Sequence, residues 1–563
     1  MRRLNKILKA LLKSIIILIV LILILVVIFK ISTKLNPPVI NNTEVENLQL
    51  TQVDSSFSYI KNNWLKKNSY GLWEMYIEGE AYERGIINGK LSKELIYKQE
   101  DAFVNQIKTM IPSESYLKFL KSFIGFFNRN IDKHVIDEYQ KEIYGISKSA
   151  SEQFNFIAPN YQRILNYHAA HDIGHALQNL NLVACTGFSA WDSRSADSSL
   201  IIGRNFDFYV GDNFAKEKII MFCNPEKGHK FMIVTWGGMI GATSGMNDQG
   251  LTVTLNAAKS EIPYGAATPI SLVAREILQY ASNIEEAFEI AKKRKTFVSE
   301  SLFIGSAKDR RTATIEKSPH NQVLLESKND YIICSNHFQS TEMQKGEFAD
   351  ANISDYATTY RFKRVDELLN KNKKLEIQSV AKILRDQKGL NDEDIGMGNE
   401  KAINQLIAHH SIIFKPEELK VWVSTSPFQL GEYICYDLNK VFIRDKSLNK
   451  SRIYYEGNLT IPADSFLFSN DFKDFNRFKE IRTQIQKAIK TSKRIPNEDY
   501  LFNEIIESNP EFFETYLHLG DYFNHFNITD KSVLAYKIAL NKEIPNIYQR
   551  ENIEEKLNKI DIN

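Results

Sequence analysis

The chain opens on apolar sequence framed by positive charge. Arg2, Arg3, Lys6, Lys9 and Lys13 precede an apolar run from Ile15 to Phe29, after which Lys30 returns the chain to polar sequence. Taken alone the run is shorter than the roughly 20 residues of an average membrane span, so a cleaved signal competes with an anchor. No A-x-A-like cleavage site follows, and Leu11 and Leu12 extend the apolar helix while Lys13 snorkels. The pattern therefore predicts an uncleaved signal-anchor over residues 1–35. Basic residues ahead of the run keep the N-terminus cytoplasmic and send the remainder across as the extracytoplasmic part of a single-pass protein.

Residues 31 to about 55, with Pro37, Pro38, Asn41 and Asn42, read as a linker. From about 56 to 184 the pattern is mainly helical, punctuated by Gly79, Gly85 and Gly89. The character then changes. Runs at Ser199–Ile202, Phe231–Thr235, Leu251–Leu255, Thr312–Glu316, Val323–Glu326 and Tyr331–Cys334 alternate with turn clusters, which predicts antiparallel strands. Between them Thr268 and Pro269 open one helix and Asn283 caps a second, with Glu285 and Glu286 in its favourable first turn. Strands resume at Val421–Ser424 and Tyr433–Asp437. Hairpins enclosing a helix pair fit a layered α+β domain. From about 465 the chain is helical and polar. There Tyr516, Leu519, Gly520, Phe523, Tyr536 and Ala539, with Pro545 beyond, resemble a tetratricopeptide repeat. Ser532 stands where that repeat usually has alanine, and Pro545 comes one place late. One such unit cannot bury its own face, so it is expected to pack on the preceding domain or on neighbouring helices. It also offers a surface for a protein partner.

Composition narrows the class. At 563 residues the chain has room for three or four domains of about 150 residues. A net charge of +2, with no basic block or stripe in the globular part, gives no reason to expect nucleic acid. Cys185, Cys223, Cys334 and Cys435 are scattered without a CxxC pair, which leaves neither metal-ligand spacing nor a dense disulfide framework. Buried strand thiols are the expected reading, with one disulfide among the last three as the alternative. His168, His171, Asp172 and His175 share one helix face and form the main competing constellation, a metal site or a packed polar seam. No metal and no cofactor is expected.

The chemistry gathers at Cys185. It sits in Ala184-Cys185-Thr186-Gly187-Phe188, and a short turn later comes Gly203-Arg204-Asn205-Phe206-Asp207. A hairpin joining these segments brings together a thiol, a guanidinium to stabilise its thiolate and a carboxylate. With Gly245-Met246-Asn247-Asp248-x-Gly250-Leu251 and the upstream Gly79-x-x-Tyr82-Glu83-x-Gly85-x-x-x-Gly89, the sequence resembles the N-terminal-nucleophile hydrolases over roughly 65–440. The group it resembles includes choloylglycine hydrolase, acid ceramidase and penicillin acyltransferase. The resemblance implies a four-layer αββα sandwich over 185–445, a helical pro-segment within 36–184, and a linker with tetratricopeptide-like helices over 446–563.

The resemblance also implies roles. Self-cleavage between Ala184 and Cys185 would make Cys185 a chain terminus that holds both nucleophilic thiol and general-base amine. An ordinary α-amino pKa of about 7.7–8.0 suits that task. Asp207 would orient the amine, Arg204 would stabilise the thiolate, and Asn256 would donate to the oxyanion. Asn336 matches a second polar residue of the site, and Arg361 a distal arginine that supports it, although Arg364 one helical turn on suits that role too. Structural readings stand beside these: an Arg204–Asp207 ion pair, a strand-end Asn256, a turn residue at Asn336. Ala184 replaces the glycine found before the nucleophile in the fungal acyltransferase, and Arg204 is nearer the hydrolases than that enzyme. The expected substrate is a small acyl amide, with a lipid amide suggested by the anchor, and hydrolysis and acyl transfer both remain open. The alternatives are an anchored binding protein with a degenerate catalytic domain and a phospholipase B-like esterase.

Overall fold

In the computed structural model residues 2–111, 113–169, 172, 183–258, 265–345, 356–443 and 453–561 are described. Two sheets dominate. The larger has eleven strands in the spatial order β1 (Thr51–Asp54), β2 (Phe57–Ile60), β3 (Asn63–Lys67), β4 (Trp73–Gly79), β7 (Ile219–Pro225), β8 (Phe231–Thr235), β9 (Ser244–Asn247), β10 (Leu251–Ala257), β11 (Glu300–Ser306), β12 (Arg311–Lys317) and β13 (Gln322–Glu326). The smaller runs β14 (Tyr331–Cys334), β5 (Val183–Ala190), β6 (Ile201–Phe208), β15 (His410–Lys415), β16 (Lys420–Ser424) and β17 (Tyr433–Asp437).

Side-chain alternation assigns each strand two faces. In β7, Phe222 joins Met232, Val234 and Phe303 against Ile202, Ile412, Phe414 and Val423 of the other sheet. Its neighbours Met221 and Cys223 instead meet Ile87, Val273 and Ile277 from the helices Ala81–Leu91 and Ile270–Tyr280. On the far side Phe188, Ile201, Ile413 and Trp422 pack under Val365, Leu369, Val380 and Leu384 from the helices Ala357–Lys371 and Ile377–Leu384. The packing order is thus helices, sheet, sheet, helices.

The stretch expected to be linker and helical pro-segment departs from that expectation. Residues 51–79 are four strands, and β4 pairs in parallel with β7 from Trp73↔Ile219 to Gly79↔Pro225. Successive side chains of this aromatic, short-turned stretch enter opposite cores, Trp64 joining Phe222 and Leu65, Met75 and Ile77 joining Met221, as a sheet buried on both faces requires. Helix begins only at Ala81. Gly85 there meets the helix Asp137–Ser147 so closely that an added Cβ would lie 2.1 Å from the Glu142 carbonyl oxygen. The Glu142 carboxylate is shared by Arg84 (2.7 Å) and by Arg275 of the helix Ile270–Tyr280 (2.8 Å), and all three are buried. Burial pushes the Glu142 carboxyl up, but Arg275 and Arg84 outweigh it and hold the group below its ordinary range. The segment before Cys185 is therefore built into the same core as the segment after it.

The remaining expectations resolve locally. Asn283 caps its helix by accepting from the Glu286 N–H, whereas the Thr268 hydroxyl bonds the His134 carbonyl and Pro269 occupies the cap position. All four cysteines are free and buried. His168 accepts from the Ile240 N–H (3.0 Å) and Asp172 from the Ile270 N–H (3.0 Å) at the start of a helix, so both serve packing. His171 and His175 lie outside the described residues. Among the described residues no group of side chains could hold a metal ion.

At the N-terminus one helix, Arg2–Ser32, is long and apolar enough over Lys6–Phe29 to cross a membrane. At the C-terminus five helices, Asn470–Thr491, Glu498–Ser508, Phe513–His525, Thr529–Leu540 and Ile547–Asp561, share their own core. Gly520 lets the third and fourth approach, since a Cβ there would lie 2.5 Å from the Tyr536 ring. The Ser532 hydroxyl donates to the Gly520 carbonyl at 2.9 Å, which accounts for serine at that place.

Candidate active site

The β5–β6 hairpin sets the site. Its register pairs Ala184 with Asp207, Cys185 with Phe206 and Gly187 with Arg204. Cys185 and Arg204 are diagonal neighbours on one face, while Asp207 falls on the other, beside the Cys185 backbone. Arg204 Nη2 stands 3.4 Å from Cys185 Sγ and also donates to the Leu255 carbonyl, and Nη1 donates to Ser244 Oγ at 2.7 Å. The guanidinium is thereby aimed by two fixed acceptors on the facing sheet. The thiol is fully buried among Phe206, Phe208, Trp236 and Met239. Burial pushes it up to about 11, against the pull of Arg204. In the uncleaved chain the sulfur is therefore held as a thiol beside its stabilising cation.

The backbone nitrogen of Cys185 has its own support. It donates to Asn336 Oδ1 at 2.7 Å, and Arg361 Nη2 donates to the same oxygen at 2.9 Å. Asn336 Nδ2 donates to the Ala257 carbonyl at 2.9 Å, which fixes the amide's orientation. Arg361 is anchored in turn by the Glu400 carbonyl at 2.5 Å. Arg364 instead bonds Asp386 and Asp392 in a separate ion cluster, so geometry distinguishes the two arginines.

Asp207 is fully buried, and among the described residues its Oδ2 accepts a single long bond, from Gln405 (3.3 Å). Its Oδ1 has no hydrogen-bond partner among the described residues. Burial pushes this carboxyl up to about 7 although Arg361 and Arg204 favour its charge. Asn256 spends one amide hydrogen on the Cys334 carbonyl (3.1 Å) and leaves its Oδ1 without a partner among the described residues. It lies one residue before Ala257, the acceptor that orients Asn336.

Several contributors had no sequence signal. Ser244 precedes the Gly245-Met246-Asn247 motif but does not belong to it, and Gln405 lies in no motif. His410 Nε2 meets Ser244 Oγ at 2.9 Å, and His409 Nδ1 meets His410 Nδ1 at 2.9 Å. Burial pushes both imidazoles well below their ordinary range, with nearby Lys218 and Arg204 acting in the same sense. Lys218 is itself buried without a hydrogen-bond partner among the described residues, and burial pushes its amine down to about 7. Asn247 proves structural: its amide ties the turn to the Leu278 and Ala281 carbonyls.

Comparison with known proteins adds a family. Residues 193–427 match the family of acyl-coenzyme A:6-aminopenicillanic acid acyl-transferase, a match that begins after Cys185 and includes Arg204, Asp207, Asn256, Asn336 and Arg361. An uncharacterized protein of Archaeoglobus fulgidus is 24% identical over 309 residues, 48% of this chain and 51% of that one. Protein dcd1B of Dictyostelium discoideum is 23% identical over 267 residues, 43% of this chain and 50% of that one. The chain thus spans about half the length of the relatives it matches. Among solved structures, the N-acylethanolamine-hydrolyzing acid amidase ortholog of Caenorhabditis elegans aligns at 16% identity over 41% of this chain and 93% of its own, with a TM-score of 0.30. A mutant of the conjugated bile acid hydrolase of Clostridium perfringens aligns at 11% identity over 48% of this chain and 95% of its own, with a TM-score of 0.31. Overlays this loose assign no role to any residue. The matched segment, 193–427, carries most of both sheets, and over it this chain is similar to the acyl-coenzyme A:6-aminopenicillanic acid acyl-transferase family.

Proposed function

We propose that the chain is an autoprocessed cysteine amidohydrolase or acyltransferase acting on a small acyl amide. The observation that carries this reading is the double hold on Cys185: its sulfur beside Arg204 and its nitrogen on the Asn336–Arg361 pair. In the first reaction Cys185 Sγ attacks the Ala184 carbonyl carbon. A C–S bond forms, the C–N bond breaks, and the Cys185 nitrogen keeps the electron pair and takes the thiol proton. Water then hydrolyses the thioester, leaving a carboxylic acid at residue 184 and a free amine at Cys185. That amine, once protonated, finds the partner-poor Asp207 carboxylate across the ladder.

In turnover the Cys185 amine accepts the thiol proton as sulfur attacks the substrate carbonyl, and passes it to the departing amine. The acyl group, now a thioester on Cys185, goes to water or to an acceptor amine. Arg204 offsets charge on sulfur. Asn256 serves the oxyanion through its side-chain amide, a role in which one donor is worth about 10²–10³ in rate. The pro-segment stays attached after cleavage through the β4–β7 ladder and the Arg84–Glu142–Arg275 cluster. The apolar helix Arg2–Ser32 tethers it to a membrane, with the catalytic domain on the extracytoplasmic side. The test is turnover of N-acyl amino acids, bile-salt conjugates and ceramides by the wild type and by Cys185→Ala, with acid quench and mass spectrometry to catch an acyl group on Cys185. Turnover that survives in Cys185→Ala would end the proposal.

A further inference from the structure

A cavity of about 340 Å³ lies beside Ala184, Asn336 and Arg361, and the C-terminal helices supply Phe475, Phe478, Phe512 and Phe513 to the same lining, together with the charged Lys479, Arg482 and Glu514. These helices are locked in place. Asn509 exchanges two hydrogen bonds with the Met397 backbone (3.0 and 2.8 Å), and Lys479 pairs with Asp212 at 2.5 Å, just beyond the strand that carries Asp207. Gly396, at φ +82, lets the Phe512 backbone approach so closely that a Cβ would lie 2.4 Å from it.

The bond broken in the proposed self-cleavage indicates the occupant of this cavity. The acyl group first transferred to Cys185 Sγ belongs to Ala184, and Ala184 lines the cavity. A substrate acyl group on the same sulfur extends toward the same space. We propose, on the basis of the amidase reading above, that the C-terminal helical unit is the acyl-selecting wall of the site. Its phenylalanines favour an acyl group with an apolar body, aryl or medium-chain alkyl, over acetyl.

The test uses the full-length enzyme and the coumarin amides of acetic, hexanoic and benzoic acids. The ratio of kcat/KM for hexanoyl over acetyl, taken within one preparation, cancels the fraction of folded, processed enzyme. Phe475→Ala and Phe512→Ala are each expected to move that ratio toward acetyl by at least about tenfold, the scale of a lost apolar pocket contact. Where an alanine variant does not turn over, Phe475→Leu and Phe512→Leu are read in the same way. Protection of Cys185 from iodoacetamide by hexanoate against acetate gives a readout that needs no turnover. Wild-type turnover with ratios unchanged within about twofold in all four variants would overturn the inference. A wild type inert toward every amide would sink the amidase reading itself, and the inference with it.

Discussion

The sharpest consequence of the site concerns Asp207 before and after the proposed cleavage. In the intact chain its carboxyl is fully buried, is met among the described residues by Gln405 at 3.3 Å, and is raised from an ordinary 3.8 to about 7. A folded-state pKa above the unfolded one means that the folded chain binds the extra proton between pH 4 and 7. Stability from this group is therefore complete below pH 3.8 and is lost as pH rises through 7. At about 1.4 kcal/mol per pH unit, the loss reaches at most about 4 kcal/mol. For a domain of this size that corresponds to roughly 10 °C in Tm. The assay compares Cys185→Ala, which keeps the peptide bond, with Cys185→Ala/Asp207→Asn by thermal unfolding from pH 4 to 8. The double variant should gain steadily on the single one across that window. Processed wild type, in which the new ammonium faces Asp207, should lack the loss. A difference between the two variants that stays flat from pH 4 to 8 would show that Asp207 is not the buried proton carrier described.

Other perturbations probe neighbouring parts of the molecule. Lys218, lowered from 10.5 to about 7, penalises the fold below pH 7, and the penalty fades as pH climbs toward 10.5. Lys218→Met should therefore stabilise by several kcal/mol at pH 6 (at most about 5) and by much less at pH 10, as read by urea unfolding. Glu142→Gln leaves Arg84 and Arg275 buried without their shared carboxylate, and should cost about 3–5 kcal/mol in the same measurement. Gly85→Ala drives a methyl group into the Glu142 carbonyl and should cost about 3 kcal/mol, visible as a lower Tm, with the loss concentrated at the pro-segment helices in hydrogen exchange.

What the sequence made legible was whatever local spacing controls. Cys185 and Arg204 lie nineteen positions apart on two strands joined through residues 191–200, and the antiparallel register of that hairpin brings Nη2 to the sulfur. Strands such as Tyr331–Cys334 and Tyr433–Asp437 carry their own boundaries in turn residues. Residues 51–79 escaped because their strands are short: the first fell within the linker reading, and the other three lead into helix, so that one helical reading covered them. Asn336 and Arg361 were found through motif resemblance, yet the bond between them depends on how the helix Ala357–Lys371 crosses the smaller sheet. Periodicity placed His168 and Asp172 on one helix face as candidate ligands. Tertiary packing instead put each against a backbone N–H. Lys218, His409 and His410 meet only because two sheets face each other, and no local pattern announces a contact of that kind. No motif singles out Phe475, Phe478, Phe512 or Phe513, and only the folded chain shows them bordering the cavity beside Ala184.

The proposed chemistry stands on a new chain terminus at Cys185. Purified wild-type protein, incubated at neutral pH and analysed by intact mass and N-terminal sequencing, should separate on denaturation into two chains, the second beginning Cys185-Thr186-Gly187. The Cys185→Ala protein should remain one chain. A wild type that turns over amides as a single uncut polypeptide, or a second chain that begins elsewhere, would contradict it.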